Sequence, residues 1–477
     1  MRFLLQFRGL HNDLRLPEFQ SVLALIRQQP ESSIDVNLVP SLSTLTGKPT
    51  PTNPKRGPAG SVIYGEIFFF ADLKDVAEAR ALASRCVLLR AIYITCGHGD
   101  SYEQCIGSID SPAFKDTLAP LRCEKTKPSF RCFVEAFGRK YSVEQQLERI
   151  HKFSEVLRPF PGVVRMKDAD HQLWILEDAF PVQGHGTPHG KPRQVFFARK
   201  VADGQKHLGS KYSLKRRRYI GPTSMDAELS FVMANMAHVR KDDLVNDPFC
   251  GTGGIMLACA ARGAHVIGGD INILALRGKG EATIDANFDQ YEVPRPLGNI
   301  RADVLNSPIV ERPGGVFDAV VCDPPYGIKE GMKVFREDFV DASLQRNHFQ
   351  GTQRVRFVDF LAGFLEYAAS VLVPGGRLVY WLPTTTDYTA EDVPTNAALR
   401  LVGNCEQPLT SRMSRRMITM VRLSEKEREH NESEKAKQVK MKDAEMRTPA
   451  HVDLACKLLR QPQRAESRLR SREATLM

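Results

Sequence analysis

Short apolar runs alternate with longer, helix-like stretches from about residue 221 to residue 424. The strand-like runs begin at Leu244, His265, Asn299 and Val316, and helix-like stretches cover Met225–Val239 and Ile255–Arg262. Strands and helices that alternate at this spacing are typical of βαβ units, which build parallel sheets with helices on both faces. We therefore expect residues 221–424 to form an α/β domain around a doubly wound sheet.

The first 185 residues have a different pattern. Strand-like runs lie at Met1–Phe7, Val62–Phe70, Arg131–Phe137 and Leu173–Leu176, and helix-like stretches lie at Asp72–Arg90 and Glu144–Leu157. This mixture predicts a separate α+β unit over residues 1–185. Five prolines interrupt it between residues 40 and 60, among Ser, Thr and Gly residues, so we expect a flexible insertion without regular structure there.

Composition supports a folded protein without a membrane span. The chain has 477 residues, of which 42% are hydrophobic and 26% are charged, as in ordinary globular proteins. No apolar run approaches the ~20 residues of a membrane span, and Gln6 and Arg8 interrupt the first apolar run. We expect a cytoplasmic protein that does not bind membranes. Residues 425–477 are highly charged and predict a solvated helix or a disordered tail.

Cysteine spacing gives no sign of a metal site. The ten cysteines contain no C-x-x-C pair, which argues against zinc ribbons and redox motifs. We therefore expect no bound metal in this chain.

Most of the net charge lies in one short segment. Residues 191–218 contain ten basic residues and one acidic residue, a net charge of +9 out of +10 for the whole chain. We interpret residues 186–220 as a basic connector that binds RNA phosphates, with Phe196, Phe197 and Tyr212 available for base stacking. The expected RNA contacts are Lys211, Lys215, Arg216, Arg217 and Arg218. The alternative is a solvated linker.

A glycine-rich turn follows the first strand of the α/β region. Asp247 begins the sequence Asp-Pro-Phe-Cys-Gly-Thr-Gly-Gly, and the next strand ends in Asp270, 23 residues later. Such a turn admits a ligand close to the backbone, and an acid at the second strand's end binds ribose hydroxyls. The G-x-G-x-x-G spacing is absent, which favours a nucleoside without phosphates. Asp303, near the end of the third strand, either accepts from an adenine amine or caps a loop.

The fourth strand leads directly into Asp323-Pro324-Pro325-Tyr326. An exocyclic amine of a base is a poor nucleophile because its lone pair is delocalised into the ring. A carboxylate at Asp323 and the carbonyl of Pro324, held rigid by consecutive prolines, can accept its N–H groups and localise that pair. Tyr326 can stack on the target base.

In their order, these motifs resemble those of the S-adenosylmethionine-dependent amino methyltransferases, which have a Rossmann-like sheet. With Tyr219–Ser230 and the N-terminal unit, the chain resembles the catalytic subunits of eukaryotic tRNA (guanine-10, N2) methyltransferases over roughly residues 1–425. The resemblance implies a THUMP RNA-binding domain in the N-terminal region and methyl transfer from S-adenosylmethionine to guanine N2 in tRNA. It also implies a small zinc-binding activator subunit as partner.

The resemblance implies roles for individual residues. Asp323, Pro324, Pro325 and Tyr326 would be catalytic. The cofactor would be bound by Asp247 at its methionine amine, by Phe249, Gly251 and Gly253 in the turn, by Asp270 at the ribose and by Asp303 at the adenine. Thr223 either faces the methionine end or forms a capping box with Asp226.

Two alternatives stay open from the sequence. A DNA adenine or cytosine amino methyltransferase would share the Asp323–Tyr326 motif. The other alternative is a non-catalytic RNA-binding protein that keeps a methyltransferase fold.

Overall fold

The computed structural model describes residues 1–46, 66–112, 114, 117–118, 128–179, 191–309, 312–327, 332–335 and 352–429. It divides the chain into two compact units, residues 1–207 and 208–477.

The strands are β1 Arg2–Phe7, β2 Leu38–Pro40, β3 Phe68–Asp72, β4 Leu89–Gly99, β5 Phe130–Phe137, β6 His171–Asp178, β7 Gln194–Asp203, β8 Leu244–Asp247, β9 His265–Asp270, β10 Gly298–Arg301, β11 Phe317–Cys322, β12 Met332–Phe335, β13 Thr352–Val355, β14 Leu372–Thr385, β15 Leu399–Pro408 and β16 Met413–Arg422. The α-helices are α1 Asn12–Arg27, α2 Ser41–Thr46, α3 Val76–Ala83, α4 Tyr102–Ser108, α5 Val143–Lys152, α6 Ser154–Leu157, α7 His207–Lys211, α8 Ala227–Met236, α9 Gly254–Ala260, α10 Ile273–Arg277, α11 Ile284–Gln290 and α12 Phe357–Val371.

The first unit contains one seven-stranded sheet in the order β2-β3-β1-β4-β7-β6-β5. Its neighbouring strands are antiparallel except for β5 and β6, which are parallel. A parallel pair needs a long crossover, and helices α5 and α6 lie within it. Helix α5 begins with the capping box of Ser142 and Gln145. The expected α+β character is therefore confirmed.

Strand β7 lies inside this sheet, between β4 and β6. Phe196 and Phe197 are fully buried on its opposite faces, in two different core clusters. Residues 186–220 therefore do not form one connector, because their middle part belongs to the N-terminal sheet. The basic charge of the segment concealed this strand, and no alternation marks it, since Gln194 to Ala198 are all buried and Arg199 to Ala202 are all partly buried.

The Pro-rich stretch also differs from our expectation at its beginning. Strand β2 ends at Pro40, and Ser41–Thr46 form helix α2, so the absence of regular structure predicted for residues 40–60 is wrong for residues 40–46. The Ser41 side chain is buried and within hydrogen-bond distance of Glu66 and Gln194, which ties the helix to the sheet. Residues 47–60 lie outside the described residues, as do residues 430–477 of the charged tail.

The second unit contains a seven-stranded sheet in the order β10-β9-β8-β11-β14-β16-β15. Strands β10, β9, β8, β11 and β14 are parallel. Strand β16 pairs antiparallel with β14, and β15 pairs antiparallel with β16 at the edge of the sheet. The chain runs from β8 outward through β9 to β10, and then continues on the other side of β8 with β11 and β14. This order confirms the doubly wound, Rossmann-like sheet.

Helices cover both faces of this sheet. Val320 and Cys322 of β11 pack with Phe364 of α12 in one core cluster, and the alternation along a strand directs Val321 to the opposite face. Every residue of α8 is buried, as expected of a helix enclosed by other elements. In the described residues, no helix has the length and apolar character needed to cross a bilayer.

Candidate active site

The motif-bearing turns meet where the strand order reverses. Strands β8 and β11 are parallel neighbours, with Val245 opposite Ala319. One turn follows the carboxyl end of each strand, and the connections then leave in opposite directions. Such a switch point opens a crevice at the carboxyl edge of the sheet, where ligands bind in open α/β folds. The glycine-rich turn after Asp247 and the Asp323–Tyr326 motif therefore share one crevice.

Asp247 is a buried carboxylate at the end of β8. The residue is only 1% exposed, and its Oδ1 accepts a hydrogen bond of 3.1 Å from the N–H of Phe249. Within the described part of the chain, no lysine or arginine pairs with it. Burial raises the pKa of Asp247 well above its ordinary value, and the negative charges of Asp270 and Asp323 raise it further. The site is thus prepared for a cationic group.

The glycine turn leaves room beside this carboxylate. Gly251 has a φ of 51°, and a Cβ atom there would have no neighbour within 4 Å. Gly253 has a φ of 79°, and a Cβ atom there would lie 2.9 Å from Ile284 Cγ2. Both positions favour glycine because of their left-handed backbone, but only Gly251 borders open space. A ligand can therefore approach the main chain at Gly251.

Asp270 connects the second strand to the glycine turn. Its Oδ2 accepts the N–H of Gly251 at 2.8 Å, and its Oδ1 accepts the N–H of Asn272 at 2.7 Å. Burial raises the pKa of Asp270, and these two bonds oppose that shift. Each carboxylate oxygen has a second lone pair, so the side chain retains acceptors for hydroxyl groups while it fixes the turn.

Asp303 already has partners for both of its oxygens. Oδ1 accepts the N–H of Leu305 at 3.0 Å, and Oδ2 accepts the N–H of Phe335 at 2.7 Å. Asp303 therefore caps the turn after β10, and because each oxygen keeps a second lone pair, its contact with adenine stays a prediction. It joins the turn after β10 to strand β12.

The Asp323–Tyr326 motif lies at the carboxyl end of β11. The Tyr326 hydroxyl donates a hydrogen bond of 2.8 Å to Asp323 Oδ1. Pro324 is buried and Pro325 is exposed. The Asp323 side chain is 22% exposed, and burial raises its pKa to about 6 against the opposing effects of Arg415 and the Tyr326 hydrogen bond. Asp323 is therefore ionised in most molecules at neutral pH, and it is accessible.

The side chains of Phe249 and Thr223, both predicted to contact the cofactor, lie in the core and on the surface, respectively. Phe249 packs against the rings of Phe360 and Phe364 of α12, with centroids at 5.7 and 5.4 Å, so its ring contributes to the core. Thr223 is exposed. The predicted capping box of Thr223 and Asp226 is wrong, because Asp226 is itself the N-cap of α8 and accepts from the N–H of Glu228 at 2.9 Å.

The basic run is divided between surface and interior. Lys211, Lys215, Arg216 and Arg218 are exposed, but Arg217 is only 8% exposed. Arg217 Nε donates to the carbonyl of Tyr212 at 3.0 Å, and Nη1 lies 2.9 Å from the position that a Cβ of residue 254 would occupy. Its predicted role as an exposed phosphate contact is therefore wrong. Tyr212, Phe196 and Phe197 are buried as well, so they do not stack on bases.

Sequence reasoning missed Arg415. This residue of β16 lies between the indole of Trp381 and the Asp323–Tyr326 motif. No motif surrounds it in the sequence, and only the sheet order brings β16 beside β14 and the crevice. Because successive side chains of a strand point to opposite faces, the sequence could have predicted that Arg415 and Arg416 lie on different faces of β16. It could not have predicted which residues Arg415 contacts. The described residues contain no group of three or more His, Cys, Asp or Glu side chains suited to a metal ion.

Both parts of the chain have matches among known protein families. Residues 64–206 match the family model described as Tmrp11 THUMP N-terminal domain, and residues 215–359 match the RMKL-like methyltransferase domain. The chain is 34% identical over 440 residues to the human tRNA (guanine(10)-N(2))-methyltransferase TRMT11, with 88% of each chain covered. The namesake of Dictyostelium discoideum is 34% identical over 404 residues, which cover 81% of this chain and 78% of that protein. Among solved structures, TrmN from Thermus thermophilus is similar at 16% identity and a TM-score of 0.40, over 89% of this chain and 100% of that one.

Proposed function

This chain belongs to the TRMT11 family of tRNA (guanine(10)-N(2))-methyltransferases, and on that premise we propose that it methylates the exocyclic N2 of a guanine in tRNA. The observation that carries the proposal is the position of Asp323-Pro324-Pro325-Tyr326 at the switch point of the sheet, beside the glycine turn of β8. A partly buried, accessible carboxylate with an adjacent tyrosine, at the place where open α/β sheets bind ligands, suits an amine substrate better than an acyl or phosphoryl group.

S-adenosylmethionine is the methyl donor in this proposal. The buried carboxylate of Asp247, which has no basic partner among the described residues, fits an ammonium group, and the open space at Gly251 fits a ligand against the main chain. Asp270 would accept from ribose hydroxyls, and Asp303 would order the turn on the adenine side through Leu305 and Phe335. When bound, this cofactor supplies an electrophilic methyl group.

The chain's own residues prepare the amine. Asp323 accepts one N–H of the guanine N2 group, which draws the lone pair out of conjugation with the ring. The carbonyl of Pro324 accepts the second N–H, and the two consecutive prolines restrict its movement. The nitrogen gains the methyl group and loses one proton, for which Asp323 is the adjacent acceptor.

Tyr326 holds the base in place. Its hydroxyl is bound to Asp323, so the orientation of its ring is linked to that of the carboxylate. A base taken out of its stack can lie against this ring, which aligns the nitrogen with the methyl group.

Exposed basic residues of the second unit would bind tRNA phosphates. Gln290 of α11 donates to the carbonyl of Arg216 at 2.7 Å and accepts from the N–H of Arg218 at 3.1 Å. These bonds fix the main chain from which the exposed side chains extend. Replacing Lys215, Arg216 and Arg218 with Gln should lower the salt slope of tRNA affinity by about 2, at ~0.7–0.9 per phosphate.

A charge-preserving variant is the matched control for that measurement. Exchanging lysine and arginine at the same three positions should retain the slope, since phosphate neutralisation depends on charge. An unchanged slope in the glutamine variant would remove this surface from the tRNA interface.

A small zinc-binding activator subunit is the proposed partner, and the cytoplasm is the proposed location. Both rest on the sequence and on the family resemblance. The chain expressed alone should have low specific activity, and co-expression with the activator should raise it. Full activity of the rigorously purified single chain would contradict the partner proposal.

Nucleoside mass spectrometry tests the function itself. tRNA from cells that lack this protein should lose N2-methylguanosine, and the wild-type gene should restore it. A gene with Asp323→Asn should fail to restore it at equal protein level, which separates a catalyst from a non-catalytic RNA-binding protein. Duplex DNA offered in vitro should receive no methyl group. Unchanged N2-methylguanosine in the deletion cells would refute the proposal.

A further inference from the structure

Arg415 is held firmly from two sides. It lies on β16, where its guanidinium carbon is 4.1 Å from the ring centroid of Trp381, a residue of β14. Its Nε donates a hydrogen bond of 2.7 Å to Gln407 Oε1 on β15. The side chain is 12% exposed. A guanidinium stacked on an indole and bound to an amide has little rotational freedom.

The remaining nitrogens of Arg415 face the reactive motif. Nη1 donates to the Tyr326 hydroxyl at 3.1 Å and lies 3.6 Å from Asp323 Oδ2. Nη2 lies 3.7 Å from the sulfur of Met225. Because Tyr326 donates to Asp323 Oδ1, arginine and tyrosine address different oxygens of one carboxylate.

The groups around Asp323 determine how strongly Arg415 affects its ionisation. Arg415 and Tyr326 are the ionisable groups that act on Asp323, while Asp247 ends the neighbouring strand β8 and Cys322 precedes Asp323 on β11. Within the described residues, Arg415 is the basic group paired with Asp323. Burial disfavours the ionised form of Asp323, whereas the nearby cation of Arg415 favours it.

We propose that Arg415 is a positioning residue for methyl transfer, which keeps Asp323 ionised and oriented toward the amine. The inference rests on the proposed function. At 3.6 Å the pair is an ion pair longer than a hydrogen bond, so Oδ2 retains lone pairs for a substrate N–H. Only the ionised carboxylate acts purely as an acceptor, and a protonated Asp323 would lose the charge that localises the amine lone pair.

Arg416 provides a matched control in the same strand. Its guanidinium carbon is 4.1 Å from the ring of Tyr388, its Nε donates to Asn404 Oδ1 at 2.5 Å, and Nη1 lies 3.6 Å from Glu406 Oε2. Its side chain is 16% exposed. Arg416 thus has an aromatic ring, an amide oxygen and a carboxylate at matching distances, but its carboxylate is not Asp323.

The pH profile of kcat/KM for tRNA tests the inference, with Arg415→Gln, Arg415→Lys and Arg416→Gln compared with the wild type. Arg415→Gln should move the acid limb upward by about one pH unit, so its loss of activity should be about fivefold larger at pH 6 than at pH 8.5. Arg415→Lys should restore most of the wild-type limb, and Arg416→Gln should keep it. A uniform loss at all pH values, or a raised KM for tRNA with an unmoved limb, would overturn the inference and indicate a substrate contact.

A second measurement needs no substrate and therefore separates this inference from the proposed function. Thermal unfolding of Arg415→Gln, Asp323→Asn and the double variant should show strong coupling at pH 8, where Asp323 is ionised. The coupling should vanish at pH 5, where Asp323 is protonated. Additive effects at pH 8 would overturn the inference even if the enzyme is active. Coupling at pH 8 in a wild-type protein that leaves guanine N2 unmethylated would support the ion pair and refute the proposed function alone.

Discussion

Asp247 and Asp323 follow neighbouring parallel strands, yet their surroundings are opposite. Burial raises the pKa of both carboxyl groups. Asp323 has the cation of Arg415 at 3.6 Å and the Tyr326 hydroxyl at 2.8 Å. Asp247 has one main-chain donor and, in the described part of the chain, no basic partner. One carboxylate therefore awaits a cation from a ligand, whereas the other carries its own cation and remains available as an acceptor.

This difference has a consequence for stability. When the pKa of a carboxyl group is higher in the folded state than in the unfolded state, the free energy of unfolding of the protein falls as the pH rises above the unfolded pKa. Asp247 therefore destabilises the protein without cofactor at neutral pH, and a bound ammonium group would remove that cost. For Asp323, Arg415 reduces the same cost within the chain itself.

The largest effect is expected from Asp323→Asn, which removes the negative charge at the amine and keeps the shape. We expect kcat to fall by about 10²–10³-fold, the range for loss of one preorganised electrostatic contact. Steady-state methylation of tRNA at saturating cofactor measures it, with thermal unfolding as the check on folding. A kcat near the wild-type value would contradict the role of Asp323 as the carboxylate that acts on the amine.

Asp247→Asn should act at the other end of the site. Loss of a charged hydrogen bond should weaken cofactor binding by about 10–100-fold. The protein without cofactor should become more stable at pH 7, and this gain should disappear as the pH falls toward 4, where the wild-type carboxyl group is protonated. Isothermal titration and thermal unfolding at both pH values measure the two effects. A less stable protein at pH 7 would mean that Asp247 has a partner of its own.

Tyr326→Phe sharpens the comparison, because it keeps the ring and removes only the hydroxyl that binds Asp323. We expect kcat to fall by about 10-fold, the lower end of the range for one hydrogen bond to a charged group. The hydroxyl also holds down the pKa of Asp323, so the acid limb of the pH profile should move upward. Tyr326→Ala should lose more activity, since it also removes the stacking surface. Equal effects of the two variants would contradict the stacking role of the ring, and an unmoved acid limb in Tyr326→Phe would contradict the role of the hydroxyl.

Gly251→Ala should have the smallest effect of these variants. The left-handed backbone at Gly251 costs an L-residue about 1–2 kcal/mol, and the new methyl group would enter the open space beside Asp247. Cofactor affinity should fall by several-fold while kcat at saturation is kept. A lowered kcat with unchanged affinity would place the cofactor elsewhere.

The sequence predicted the parts of the site that lie in local motifs. The predicted second strand coincides with β9, and the Asp247, Asp270 and Asp323 positions all lie at the carboxyl ends of parallel strands, because strand-turn-helix signals are local. Asp303 was predicted at the correct strand end, but its partner Phe335 lies 32 residues away and gives no local signal.

What the sequence did not reveal depends on long-range pairing. Strand β7 was hidden by its basic residues, because the partners that bury Phe196 and Phe197 come from β4 and β6. For the same reason Arg217 was grouped with its exposed neighbours, although its guanidinium contacts the carbonyl of Tyr212. The position of Arg415 beside Asp323 follows from the order of β14, β16 and β15 in the sheet, and the periodicity of the sequence does not predict that order.

One crossed measurement tests the central claim most directly. Equilibrium binding of S-adenosylmethionine and single-turnover methylation of tRNA at saturating cofactor are compared for Asp247→Asn and Asp323→Asn. The account predicts that Asp247→Asn loses affinity but keeps most of its single-turnover rate, and that Asp323→Asn keeps its affinity but loses its rate. Equal losses of affinity and rate in both variants would contradict the division of labour between the two carboxylates.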